Sequence, residues 1–191
     1  MSATLYRATE ADISTDGRTL EGRAVYLDRT SRVVDPGGMP YRESFARNAF
    51  KKSIQERAGR RFPLMMFHPL APGARTSPVP LGAVDFVVGQ ESLDFQARVS
   101  ETVAGTEALA LLADGAIGDV SIGFRPIKAK RLRDADGDYV MRTEVGLIEL
   151  SLAPVGLAQH EGAQVLAVRS QANGTPRLDA LRRRRGLLVT P

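Results

Sequence analysis

Ser121 and His68 bring together the two side-chain types that nucleophilic acyl transfer requires. Ser121 interrupts the apolar run Asp119-Val120-Ser121-Ile122-Gly123-Phe124, and His68 ends the run Phe62-Pro63-Leu64-Met65-Met66-Phe67-His68 about fifty residues upstream. A serine hydroxyl is a weak nucleophile until a neighbouring imidazole accepts its proton, and the pair works only when both are held within hydrogen-bond reach. Each of these residues ends or interrupts a strand-like segment, so a serine peptidase is the chemistry to test. With no cysteine in the chain, a thiolate nucleophile, a disulfide framework and a cysteine-bound zinc are excluded. The two histidines show no HExxH or other close spacing, so no metal site and no cofactor are expected.

The elements that would position these residues are mostly strands. Leu20–Tyr26 alternates loosely between apolar and polar after the turn signal Thr15-Asp16-Gly17, which suggests the second strand of a hairpin. The Gly/Pro-rich passage Asp35–Pro40 breaks regular structure. Between Glu43 and Arg57, Phe45, Ala49, Phe50 and Ile54 fall at helical spacing, with Ser44 as a possible cap. Strands are expected at Phe62–His68, Leu81–Val88 and Ser92–Val99, with an exposed loop over Pro69–Pro80. A helical stripe through Val103, Ala108, Leu111 and Leu112 lies within Thr102–Asp114 and stops at Gly115. Further strands are expected at Gly118–Ile127, Tyr139–Thr143 and Val145–Ala153, with a hairpin turn at Asp134–Asp138. Strands outnumber helices, which predicts a β-rich α+β domain with a closed or strongly curved antiparallel sheet flanked by a few helices.

A chain of 191 residues, 43% hydrophobic and 25% charged, suits one globular domain. After Val168 the sequence turns polar and basic, so residues 1–168 are expected to form the domain and 169–191 a flexible tail. The formal charge of +4 owes much to Arg182–Arg185 in that tail. With no Trp and few aromatics interleaved with cations, specific nucleic-acid recognition is not expected. No apolar run approaches the roughly 18–20 residues that span a bilayer, and Met1–Asp12 lacks the apolar core of a signal peptide. A location inside a cell, away from the membrane, is the expectation.

Along about Thr19–Val168 the chain carries, in order, Leu20-Glu21-Gly22-Arg23-Ala24, Phe45–Phe50, Leu64–His68, Pro80-Leu81-Gly82, Leu112–Phe124 and Ile148–Pro154, and with these it resembles the prohead proteases of tailed bacteriophages, which share the fold of the herpesvirus assemblins. Leu20-Glu21-Gly22-Arg23-Ala24 resembles the family's first strand and Phe45–Phe50 a degraded form of its G-A-F segment. Leu64–His68 is similar to the histidine strand and Pro80-Leu81-Gly82 to the start of the next. Leu112–Phe124 is similar to the helix and S-I-G-F/Y nucleophile strand, and Ile148–Pro154 to the E-V-S-L-V strand. Between Asp28 and Phe45 the chain departs from the family's spacing.

The resemblance implies that Ser121 is the nucleophile, His68 the general base and Glu149 the third member; Glu144 and His160 are alternatives for that place. An arginine after the nucleophile strand, Arg125 or Arg131, would help form the oxyanion hole. The implied activity is that of a serine endopeptidase, with no metal or cofactor, cutting the scaffolding portion of the major capsid protein, and also itself, inside an assembling procapsid in the host cytoplasm. The resemblance also implies activation by self-association of the chain or by its concentration inside the shell. Two other readings remain open: a non-catalytic capsid assembly or scaffolding protein that keeps the fold, and a packaging factor using the basic tail.

Overall fold

The computed structural model describes residues 5–9, 17–35, 38–57, 59–68, 79–155 and 164–169. Ten strands and two helices follow one another as β1 (Leu5–Thr9), β2 (Thr19–Tyr26), β3 (Ser31–Val33), β4 (Tyr41–Phe45), α1 (Lys51–Glu56), β5 (Phe62–Met66), β6 (Gly82–Val88), β7 (Ser92–Val99), α2 (Val103–Ala113), β8 (Ile117–Asp134), β9 (Gly137–Pro154) and β10 (Gln164–Arg169). The main path through the sheet is β1-β8-β9-β5-β6-β7-β2-β10, and β4 joins β3 to β9. Pairing is antiparallel except where β4 and β5 run parallel to β9. The sheet curls until β2 and β10 at one end approach β8 at the other, giving the strongly curved, β-rich α+β architecture that the strand pattern suggests.

The inner face of this curl is the core. On β7, Leu93, Phe95, Ala97 and Val99 alternate inward and are fully buried, the period-2 signature of a strand with one face on the core. Phe45 packs against Phe50 and Phe124 with ring centroids 5.0 and 5.1 Å away. Thr102 caps α2 by accepting a hydrogen bond from the Gly105 N–H at 3.0 Å. Gly115, at φ +71°, ends the helix, its N–H donating to the Leu112 carbonyl. Only Ala108 and Leu112 of the expected stripe are buried; Val103 and Leu111 are exposed.

Three expectations change. β1 does not form a hairpin with β2 but lies along β8, Ala8 opposite Ser121. The helix expected over Glu43–Arg57 is confined to Lys51–Glu56, and Ser44 caps nothing because it lies in β4, its side chain buried. Phe45, Ala49 and Phe50 are buried and Ile54 partly so, as their spacing suggests, but Phe45 gets there from a strand. That strand is held by Glu43, wholly buried, whose carboxylate accepts a 2.7 Å hydrogen bond from Arg142 Nε on β9. The segments expected as separate strands between Gly118 and Ala153 are instead two continuous 18-residue strands. They project as an arm beyond Phe124 and turn between Asp134 and Gly137, at the foreseen place. The strand pairing of β10 reaches Arg169. Residues 170–191, and so the arginine run, lie outside the described residues, as does most of the Pro69–Pro80 loop.

Candidate active site

Three adjacent strands build the site. On β8 and β9, Ser121 lies opposite Ser151 and Gly123 opposite Glu149. Directly opposed residues share a face, so Ser121, Gly123, Glu149 and Ser151 form a polar patch on one side. Ile122, Leu150 and Leu152 point to the other side and are fully buried in the core. Alternation thus fixes which side chains can meet, and the apolar residues between them anchor the strands.

His68 reaches this patch from β5, which runs parallel to β9 with Met65 opposite Ser151. Phe67 adopts φ +55°, a left-handed conformation that is costly for a bulky residue. Its N–H donates to the Leu152 carbonyl at 3.0 Å, and Ser151 Oγ lies 2.9 Å from its carbonyl oxygen. This bend ends the strand and turns the next residue, His68, across β9.

The result is a continuous hydrogen-bonded chain. His68 Nε2 lies 2.6 Å from Ser121 Oγ, and His68 Nδ1 lies 2.9 Å from Glu149 Oε1. With its proton on Nδ1, the imidazole donates to the carboxylate and accepts from the serine hydroxyl, the arrangement needed to draw a proton from Ser121. The other Glu149 oxygen, Oε2, lies 2.6 Å from Ser151 Oγ, a separation suited to a hydroxyl donating to a carboxylate. The single Ser151 proton serves either that carboxylate or the Phe67 carbonyl at one time. Glu149 and Ser121 are each 1% exposed, whereas the His68 side chain is 25% exposed.

Gly123 makes room for the carboxylate. A Cβ built there would fall 2.3 Å from Glu149 Oε1, a separation that real side chains cannot hold. The glycine in Ser121-Ile122-Gly123 therefore leaves the space that the Glu149 carboxylate fills, besides closing an apolar run.

The remaining candidates lie elsewhere. Glu144 is taken up by Lys52 at 3.0 Å and Lys128 at 2.5 Å. Arg125 is four residues beyond Ser121 on β8, roughly 13 Å along the strand, and Arg131 is ten beyond, roughly 33 Å away on the arm. That distance removes Arg131 from any oxyanion hole at Ser121. His160 lies outside the described residues. Ser151, Gly123 and Phe67 were given no role from sequence. The one available signal was the spacing of Ser151, two residues from Glu149 and so on its face.

Comparison with known families now bears on this arrangement. Residues 5–176 match the model of a family described as caudovirus prohead serine protease. The chain belongs to that family. The matched span takes in all ten strands of this prohead protease family member, including β1 beside the Ser121 strand. Among solved structures it is similar to the capsid assembly protease of bacteriophage T4, at 12% identity and a TM-score of 0.40, over 85% of this chain and 98% of that one. No curated protein sequence matches it.

Proposed function

We propose that this family member is a serine endopeptidase of capsid maturation, with Ser121 as nucleophile, His68 as general acid–base and Glu149 as the group that orients and stabilises the imidazolium. The observation that carries this reading is the unbroken chain Ser121 Oγ–His68 Nε2, His68 Nδ1–Glu149 Oε1, at 2.6 and 2.9 Å. Ser121 Oγ attacks the scissile carbonyl as its proton passes to His68 Nε2. The imidazolium then gives that proton to the leaving amine, and an acyl-enzyme remains on Ser121. Water, deprotonated by His68, attacks the acyl group and releases the acid. Through both halves the Glu149 carboxylate accepts from His68 Nδ1–H and holds that tautomer.

The family match supports action on capsid proteins inside the assembling procapsid; the substrate proposed is the scaffolding portion of the major capsid protein, with cleavage of the chain itself at high local concentration. The test is co-expression with the capsid protein, followed by intact mass. Discrete truncation with wild type and none with Ser121→Ala is the expected result; identical truncation with both would sink the reading. Loss of Ser121 or His68 is expected to lower turnover by about 10³- to 10⁶-fold.

A second reading, a non-catalytic assembly or scaffolding protein, draws on the burial of Ser121 at 1% exposure. It predicts that capsid protein and chain both remain intact while the chain still enters procapsids.

A further inference from the structure

A cleft of about 530 Å³ opens between α1 and the turn that joins β6 to β7, a size within the range typical of ligand sites. The chain just after β2 ties its two walls together. The Leu27 N–H donates to the Glu91 carbonyl at the turn, and the Asp28 N–H donates to the Phe45 carbonyl ahead of α1, both at 2.8 Å. Asp28 does this in the left-handed region, at φ +56°, which a short polar residue tolerates. Main-chain bonds therefore hold the walls apart at a set distance.

The lining divides by chemistry. Ile54 and Val88 are half-buried against the hydrophobic core and supply an apolar floor. Asn48, Gln55 and Gln90 are exposed carboxamides, each with one acceptor and two donors, and among the described residues none of these side chains makes a hydrogen bond. The charged side chains of the lining are both cations, Arg47 and Lys51. Lys51 makes no ion pair among the described residues. Arg47 has Asp28 at 3.6 Å, with the two side chains 62% and 47% exposed; a long contact in water is worth little, and an incoming carboxylate can replace it. Lys51, Ile54 and Gln55 share one face of α1 by their i, i+3, i+4 spacing, whereas Lys52 is turned to Glu56 and Glu144.

We infer that this cleft binds a short acidic segment of a partner polypeptide, one that sets a carboxylate next to an apolar side chain. The carboxylate lies beside Lys51 and Arg47, the apolar group rests on Ile54 and Val88, and the peptide groups exchange hydrogen bonds with the carboxamides. A bare inorganic anion would leave the apolar floor and the carboxamides unused. Single-stranded nucleic acid would find no aromatic ring in the lining on which to stack a base. The site is separate from the Ser121 patch, yet α1 is braced against the strand of Glu149: the Leu147 N–H donates to Ser53 Oγ at 2.8 Å. On the proposed peptidase function the cleft anchors a substrate away from the bond that is cut. This last step rests on that function; the binding does not.

The test therefore uses full-length protein carrying Ser121→Ala, so that no cleavage is involved. A fluorescent peptide of about six residues, roughly 20 Å when extended, alternating Glu with Leu, is titrated by anisotropy. Beside it run the same peptide with Gln for Glu and single-stranded DNA of equal length. The Glu peptide is expected to bind at least about tenfold more tightly than the Gln peptide. Arg47→Glu with Lys51→Glu should abolish that preference, whereas Lys130→Glu with Arg131→Glu, an equal charge change at exposed residues of the arm, should leave it in place. Gln90→Trp, which fills the cleft without changing charge, should weaken the Glu peptide at least about tenfold. Circular dichroism checks that each variant is folded, and hydrogen exchange of the amides of 51–55 and 88–90 should slow on binding. Equal affinity for the two peptides, tighter binding of DNA, a preference that survives the Arg47, Lys51 reversal, or binding unmoved by Gln90→Trp would overturn the proposal.

Discussion

Gly123 shows how little room there is around Glu149. Because a Cβ would collide with the Glu149 carboxylate, Gly123→Ala is expected to displace that group from His68. Turnover should fall by at least about 10²-fold with the fold intact, as read by kcat and by circular dichroism. Glu149→Gln keeps the shape but offers a neutral amide to the imidazole, and is expected to cost roughly 10⁴-fold in kcat. Ser151→Ala removes the hydroxyl between Glu149 and the bent Phe67 carbonyl; a milder loss is expected, with KM unchanged, because the group touches no substrate. Ser121 and His68 stand out in the sequence through the apolar runs that frame them, whereas Glu149 was a candidate only through the resemblance, beside Glu144 and His160. Ser151 and Phe67 were not legible, since their roles arise from cross-strand register and a positive φ, neither of which leaves a compositional mark.

The strands and helices differ in how openly the sequence announces them. The alternation in β7 and the capped, glycine-terminated α2 could be read directly, because local chemistry and tertiary burial agree there. Thr102→Ala should lower stability by about 1 kcal/mol, measurable by urea titration. β4 was misread because Phe45, Ala49 and Phe50 satisfy a helical period that the buried Glu43–Arg142 pair overrides. Of the outer arm, the turn and the strand at Tyr139–Thr143 are legible, but the stretch of β8 beyond Ile127 is not, because strand pairing rather than apolar alternation carries it. Its charges tie it down: Arg42 donates to Asp134 at 2.6 and 2.8 Å, and Lys128 and Lys52 hold Glu144. The hydrogen bond from Arg42 holds the Asp134 carboxyl below its usual value, and those from Lys128 and Lys52 do the same for Glu144. A lowered folded pKa adds stability that is present above the unfolded carboxyl range of about 4 and is lost as pH falls through the folded value. Thermal melts of the wild type should therefore lose more Tm below about pH 4 than melts of the Asp134→Asn, Glu144→Gln double variant. Parallel pH curves for the two would contradict this.

For the whole molecule, one sheet curled on itself does two jobs: it encloses the core on its inner face and brings residues from β5, β8 and β9 to one polar patch. Phe45, fully buried between Phe50 and Phe124, joins α1 and β4 to the strand of Ser121. Phe45→Ala is expected to cost about 3–5 kcal/mol and to lower activity only in proportion to unfolding. The overall class followed from counting strands, but the path did not, because β1 pairs with a strand over a hundred residues away and β5 runs parallel to β9. The central proposal is that Ser121 is an activated hydroxyl, and a fluorophosphonate that phosphorylates activated serines tests that most directly. Mass spectrometry of the labelled wild type should find one adduct, on Ser121, that is lost in His68→Ala and strongly slowed in Glu149→Gln. Absence of labelling, an adduct on another serine, or equal labelling of His68→Ala would contradict the account.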